Sequence, residues 1–171
     1  MIEVESKYWS PGNKKVEKTL ARLGARKIAE ETMEDVYFSH PGRDFGKTDE
    51  ALRLRRRPDG VELSYKGPRM KMDRAKAREE INLKVENALM AQRIVERLGF
   101  KEIRTVKKLR KSYILDKLRV DVDEVEGLGE FVELEILTES PDISEQLFDL
   151  ARKELSLERL IPAELGELAE L

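Results

Sequence analysis

The chain has 171 residues, 40% of them charged, yet 33 Lys and Arg so nearly balance 35 Asp and Glu that the net charge is −2. That length suggests one domain able to fold on its own core, and the balance argues against a generic nucleic-acid binder, which carries a strongly basic face. Cysteine is absent, which excludes disulfides and thiolate metal sites, and no apolar run approaches the ~18–20 residues of a membrane span.

The chain opens on "MIEVESKYWS", whose alternation reads as a strand with Glu3, Glu5 and Lys7 on one side and Ile2, Val4 and Ser6 on the other. The strand starts at once, which leaves no signal or transit peptide ahead of it and points to a cytoplasmic protein. Ser10-Pro11 reads as a helix cap and first helical residue, followed by Val16, Leu20 and Leu23 at helical spacing and a stop at Gly24. "RKIAEETMEDVYFS" reads as a strand or a bent pair of strands, and 39–50 as a loop. That loop holds His40, the only histidine, which makes a His-based zinc site improbable. "ALRLRRR" and "VELSYKG" form a hairpin across Pro58-Asp59-Gly60, and "AREEINLKV" is another strand. "ENALMAQRIVERLG" is a helix with Ala91, Ile94, Val95 and Leu98 on one face. "IRTVKKLRKSYIL", "LRVDVDEV" and "FVELEIL" are strands, the last two joined at Gly127-Leu128-Gly129. Ser140-Pro141 caps a final helix carrying Ile143, Leu147, Leu150, Ala151 and Leu155. The chain is expected to form one domain over 1–171, with a core at 1–160 and a short, loosely attached helical tail at 161–171. Abundant Lys, Arg and Glu without Cys fit a thermophile.

Short links favour antiparallel pairing, and strands with helices between or after them give an α+β fold. Along the strands one face is consistently charged. It carries Glu3, Glu5 and Lys7; Arg53, Arg55 and Arg57; Glu62, Ser64 and Lys66; Arg78, Glu80, Asn82 and Lys84; Lys108, Arg110 and Ser112; Asp121 and Asp123; Glu133 and Glu135. The apolar face carries Val4, Leu52, Leu54, Leu63, Tyr65, Ile81, Leu83, Val85, Val106, Leu109, Val120, Val122, Val132, Leu134 and Ile136. An ordinary sheet with its charged face in water accounts for this alternation. The sorting of charges by strand, acidic at both chain ends and basic between, favours the alternative. In that alternative the sheet curls into a closed antiparallel barrel of about eight strands, charged face inside and helices packed outside. Such a lumen suits a polyphosphate with its divalent metal: Arg and Lys take phosphate oxygens, and carboxylates take Mg²⁺ or Mn²⁺. Like charges inside it would repel without a ligand. No Walker-type loop or GxGxxG stretch is present.

Several charged and aromatic residues read as ordinary surface or packing. Arg57, Lys84, Lys107, Lys111, Glu30, Glu31 and Glu34 read as solvated; Tyr37, Phe38 and Tyr65 as packing residues. Arg43, Asp44 and Lys47 read as a surface loop, with a mobile lid as the alternative.

Glu3-x-Glu5-x-Lys7 resembles the ExExK signature of the CYTH superfamily, the triphosphate tunnel metalloenzymes. "EDVYFSHPGRDFGKTDEALRLR", "YKGP", "AREEI", "VKKLRKSY" and "VDEVEGLGEFVELE" follow in the family's order. The stretches around "DVYF" to "DEALRLR" and "DEVEGLGEFVELE" look most like the class IV adenylyl cyclase branch. The resemblance implies an antiparallel β-tunnel holding a triphosphate. It implies Glu3, Glu5, Glu133 and Glu135 as metal carboxylates, with Asp123 and, by alternation, Asp121. It implies Lys7, Arg53, Arg55, Lys66, Arg78, Lys108 and Arg110 as phosphate contacts, and Glu80 as a residue that supports the metal or orients Arg78. Glu3, Glu5, Lys7 and Asp123 form the implied catalytic set. The implied reaction converts ATP to cyclic AMP and pyrophosphate with Mg²⁺ or Mn²⁺. Hydrolysis of thiamine triphosphate, inorganic triphosphate or a nucleoside triphosphate is the alternative, followed by a non-catalytic polyphosphate or nucleotide binder and by a protein-interaction domain with a merely solvated sheet. A small-molecule, ATP-like partner is expected, without nucleic acid or membrane, and the cyclase likeness implies a homodimer.

Overall fold

A computed structural model describes residues 2–69, 76–138 and 141–161, with the side chains of these residues except at 2, 3, 76, 77 and 141–145. In chain order the elements are β1 (Ile2–Trp9), α1 (Asn13–Arg22), β2 (Arg26–Ser39), α2 (Phe45–Thr48), β3 (Ala51–Arg57), β4 (Gly60–Lys66), β5 (Lys76–Ala77), β6 (Glu80–Val85), α3 (Ala88–Arg97), β7 (Lys101–Leu115), β8 (Leu118–Val125), β9 (Gly129–Thr138) and α4 (Pro141–Glu154). The α+β class holds, and every strand pair with a described register is antiparallel. No helix among the described residues is long and apolar enough to cross a membrane.

The hydrogen-bonded order is β5-β1-β9-β8-β7-β2-β3-β4-β6. This corrects the expectation of a closed barrel. The order ends at β5 and β6, and no pairing joins these two among the described residues, so the sheet is open. The strand expected over "AREEINLKV" is the reason in sequence terms. It is split into the two-residue β5 and the six-residue β6, which pair with β1 and β4 respectively.

The described residues fall into two compact units: 2–31, 76–77, 108–138 and 141–161 in the first, and 32–69 with 78–107 in the second. The first unit buries Val4, Tyr8, Val120, Val122, Val132, Leu134 and Ile136 from its strands against Val16 and Leu20 of α1 and Phe148 and Ala151 of α4. The alternation of β1, β8 and β9 accounts for this: on each strand the apolar residues recur at every second position on the helix side, interrupted in β1 by the buried Ser6, which donates to Tyr8 Oη. The second unit has a smaller core of Val36, Phe38, Leu54 and Val95, with Leu52, Val61, Leu63, Val85, Ala88 and Ala91 packed around it.

Four local expectations need correction. Helix α1 starts at Asn13, not at Pro11. Gly12 has φ 125°, off the helical path, and the Gly12 N–H donates to Ser10 Oγ at 3.1 Å, so Ser10 closes the turn before the helix. The 39–50 loop contains the one-turn α2, and the Asp44 carboxylate accepts from Gly46 and Lys47 N–H at 3.1 and 3.4 Å. In α3 only Val95 of the expected face is buried. Ala88, Ala91 and Val95 turn their small stripe to the sheet, while Ile94 and Leu98 are 62% and 68% exposed. In α4 Leu150 is exposed and Phe148 takes its place in the core. Pro141 is the first residue of α4 as expected, and its cap residue Ser140 lies outside the described residues.

Of the expected tail, residues 162–171 also lie outside the described residues. The segment before them is tied down. Tyr8 bridges Leu160, Ile161 N–H donates to the Lys7 carbonyl at 2.8 Å, and Ile161 is buried.

Candidate functional site

Most of the charged face is not solvated, the β6 members Asn82 and Lys84 being exposed. Lys7, Arg53, Arg55, Lys66, Lys108, Arg110, Asp121 and Asp123 are all buried. A charge taken out of water is costly unless it is paired and hydrogen-bonded, so the partners of these groups decide what the face is for.

In the first unit the strand register lays the residues out in rows. Lys7 of β1 stands opposite Glu133 of β9, Glu133 opposite Asp121 of β8, and Asp121 opposite Ser112 of β7. The next row is Glu5, Glu135 and Arg119. On the other side Phe131 faces Asp123, and Asp123 faces Arg110. Directly opposed residues share one face of a sheet, so the four strands β1, β9, β8 and β7 suffice to gather these groups.

Arg110 is the hub. Its Nε and Nη2 donate to the two Asp123 oxygens at 2.7 and 2.6 Å, its Nη1 to Asp121 at 2.8 Å, and its Nη2 also to Glu133 at 3.3 Å. Burial works to lower the Arg110 pKa, but Asp123, Glu133 and Asp121 outweigh it and hold the group well above its ordinary value. Burial likewise works to raise Asp123, and the charges of Arg110 and Lys108 outweigh it and hold the carboxyl below its ordinary value. Lys108 Nζ lies 3.7 Å from Asp123 Oδ2. Lys7 Nζ sits 5.3 Å from the centre of the buried Phe131 ring, a cation–π arrangement.

Asp121, Glu133 and Glu135 each bring a carboxylate oxygen within 4.8 Å of the others. Three converging oxygen donors without nitrogen or sulfur are the chemistry of a hard divalent cation. The donor set fits Mg²⁺ or Mn²⁺. Glu5 stands opposite Glu135 on β1, in position to join the set, and the Glu3 side chain lies outside the described residues.

The second unit carries its own rows: Asp35, Arg55, Glu62 and Lys84; then Tyr37, Arg53, Ser64 and Asn82; then Lys66 and Glu80. Arg55 is held by Asp35 through two hydrogen bonds of 2.6 Å, Nε to Oδ1 and Nη2 to Oδ2. Glu80 lies 3.8 Å from Arg53 and 3.6 Å from Lys66. Glu80 thus pairs with cations, and it is not among the three converging carboxylates. Arg78 lies in the short connection between β5 and β6 rather than within a strand.

The residues read as surface behave in mixed ways. Lys84 is exposed. Lys107 is largely exposed and pairs with Glu34 at 3.8 Å. Arg57 is half-buried and pairs with Glu62 at 3.4 Å, and Lys111 is half-buried and donates to both Glu17 oxygens at 2.9 and 3.1 Å. Two groups of the charged face escaped the sequence reading. Asp35 and Arg119 each sit two residues from a member of the face, Asp35 beside Tyr37 and Arg119 beside Asp121. Extending the alternation along "DVYF" and "LRVD" would have found them.

A family model described as CYTH domain matches residues 1–164. A protein named "Putative adenylate cyclase MJ0240" from Methanocaldococcus jannaschii is 43% identical over 136 residues, 79% of this chain and 77% of that protein. Adenylate cyclase CyaB of Aeromonas hydrophila is 31% identical over 159 residues, 89% of this chain and 80% of that protein. The solved structure of PH1819 protein from Pyrococcus horikoshii superposes with a TM-score of 0.85 at 36% identity, covering 98% of each chain.

Proposed function

The chain belongs to the CYTH domain family, and on that premise we propose that it is a class IV-like adenylyl cyclase acting on ATP with Mg²⁺ or Mn²⁺. The observation that carries this reading is in the first unit. There the Asp121, Glu133 and Glu135 oxygens converge within 4.8 Å, and the buried cations Lys7, Lys108 and Arg110 share the same sheet face. The adenylate cyclase names of the two relatives agree with it.

The roles follow from the chemistry of each group. Asp121, Glu133 and Glu135, with Glu3 and Glu5, hold the cation. When bound, the cation neutralises charge on the transferring phosphoryl group and polarises its oxygen. Lys7, Lys108 and Arg110 of the first unit bind phosphate oxygens; for Arg53, Arg55, Lys66 and Arg78 of the second unit the same role is proposed separately. Asp123 fixes Arg110 and Lys108. Glu80 restrains Arg53 and Lys66. In the reaction the ribose 3′-oxygen forms a bond to the α-phosphorus and loses its proton. The bond from that phosphorus to the bridging oxygen breaks, and pyrophosphate leaves. Positioning and charge stabilisation account for most of the catalysis in such a transfer.

The test is a product assay. The protein is incubated with ATP and Mg²⁺, then with Mn²⁺, over a range of temperature, and products are resolved by phosphorus NMR. Cyclic AMP with pyrophosphate is expected. ADP with inorganic phosphate would replace the cyclase reading with a triphosphatase one. Unchanged ATP would remove ATP as the substrate.

A further inference from the structure

Arg119 is a cation in the acidic corner of the first unit. Its row neighbour across the β8–β9 pair is Glu135. Its Nε donates to both Asp121 oxygens at 3.1 and 3.2 Å, and its Nη2 donates to Ser112 Oγ at 3.2 Å. Asp121 therefore faces two guanidinium groups: Arg119 Nε spans both oxygens, and Arg110 Nη1 holds Oδ2 at 2.8 Å. A divalent cation on these oxygens would sit beside the Arg119 charge, so the two compete for the same carboxylate.

The two arginines differ in which can let go. Arg110 is buried, 7% exposed at its side chain, and pinned by Asp123 and Glu133 besides Asp121. Arg119 is 36% exposed at its side chain, and besides Asp121 it has the neutral Ser112 hydroxyl as a hydrogen-bond partner and the charge of Glu135 nearby. Water can take over its hydrogen bonds as it swings out.

We propose that Arg119 is the resident counter-cation of the carboxylate cluster, released from Asp121 when a divalent cation binds, so that it sets the cluster's metal affinity. The proposal rests on the assignment of Asp121, Glu133 and Glu135 as the metal carboxylates. Arg119 is a positioning residue here: it acts through Asp121 and keeps the cluster paired while no cation is bound. Its charge also opposes the incoming cation.

The test measures Mn²⁺ binding to the whole chain without nucleotide, by the loss of the free Mn²⁺ electron paramagnetic resonance signal. Arg119→Gln should bind Mn²⁺ about tenfold more tightly, the scale of removing one positive charge a few ångströms from a divalent cation in a hydrated site. Arg119→Lys, which keeps the charge, should stay close to the parent affinity. Equal or weaker binding by Arg119→Gln, with binding still lost in Glu133→Gln, overturns the role of Arg119 alone. Mn²⁺ binding that Glu133→Gln and Glu135→Gln leave untouched overturns the metal assignment beneath it. A second measurement uses the unmodified sequence and does not depend on a variant folding. Labelling with an arginine-specific dicarbonyl, read by peptide mass spectrometry, should rise at Arg119 on adding Mn²⁺ and stay low at Arg110. Labelling at Arg119 that is unchanged or lower overturns the release.

Discussion

Asp123→Asn tests the electrostatics of the site most directly. Asp123 is fully buried and takes two short hydrogen bonds from Arg110, at 2.7 and 2.6 Å, with Lys108 Nζ at 3.7 Å. Breaking a buried pair by neutralising one partner costs about 3–5 kcal/mol, because the remaining charge is left uncompensated. Arg110 keeps Asp121 and Glu133, so the lower end, about 3 kcal/mol, applies. For a domain of this size that is a fall in Tm of roughly 6–12 °C, readable by calorimetry or circular dichroism. The pH dependence gives a second readout. The Asp123 carboxyl is held below its ordinary 3.8 in the folded state. The stability it contributes is present above that ordinary value and is lost as pH falls through the lower, folded one. The parent should therefore lose stability on acidification below about pH 4 more steeply than Asp123→Asn does. Inorganic triphosphate without metal should stabilise the variant more than the parent, since the anion meets a stronger positive field there. A Tm within 2 °C of the parent, roughly half a kcal/mol, with parallel acid limbs, would refute the reasoning.

Glu135→Gln should lower Mn²⁺ affinity and reduce kcat by roughly 100-fold or more, with Tm in metal-free buffer nearly unchanged; unaltered kinetics in metal titrations would remove Glu135 from the metal set. Lys66→Gln should raise KM for the triphosphate about tenfold or more, the scale of one charged hydrogen bond, while Glu80 retains Arg53; steady-state kinetics at fixed ionic strength checks it, and a pure kcat effect would contradict a binding role. Tyr113 is pushed up to about 12 by burial and by its hydrogen bond to Glu17. That stability is present below the ordinary value of 10 and is lost as pH rises towards 12. Tyr113→Phe should remove about 1.4 kcal/mol of the alkaline stability loss between pH 9 and 11 relative to the parent, seen in urea titrations at those two pH values. Inorganic triphosphate with Mg²⁺ at about 100 times its Kd should add about 2.7 kcal/mol of stability; a flat thermal shift counts against triphosphate binding.

Much of the fold was legible because alternation is a strong signal when one strand face is apolar. The strands Ile2–Trp9, Leu118–Val125 and Gly129–Thr138 read correctly, and with them the shared face of Glu5, Lys7, Asp121, Asp123, Glu133 and Glu135. Helix faces were less legible. The periodicity of α3 offered both Val95 and Ile94 to the core, and the close approach permitted by Ala88 and Ala91 decided for Val95. Closure of the barrel was not legible at all. It depends on where a strand stops pairing, and "AREEINLKV" carries no turn residue to mark the break between Ala77 and Glu80. Arg119 and Asp35 were missed for a related reason. Each lies at the start of an apolar-looking run, and single charges there read as strand ends rather than as members of a row.

Register also changes how the charges balance. Sorted strand by strand, the acidic and basic residues suggest a face that repels itself until a ligand arrives. Antiparallel pairing turns that sorting through a right angle. It sets Lys7 against Glu133, Arg110 against Asp123, Arg119 against Glu135, and Arg55 against Asp35 and Glu62. The unliganded face is then compensated row by row, and buried charges persist because each has a partner of opposite sign. A triphosphate–metal ligand that enters such a face exchanges partners rather than relieving repulsion. On the proposed function, Arg110 and Lys108 would trade part of their carboxylate contacts for phosphate oxygens, while Asp121 and Glu133 would trade cationic side chains for the metal. Net stabilisation by the ligand is then set by the difference between two well-paired states. The same exchange makes binding selective, because an anion without a cation, or a cation without an anion, leaves one set of buried groups worse paired than before.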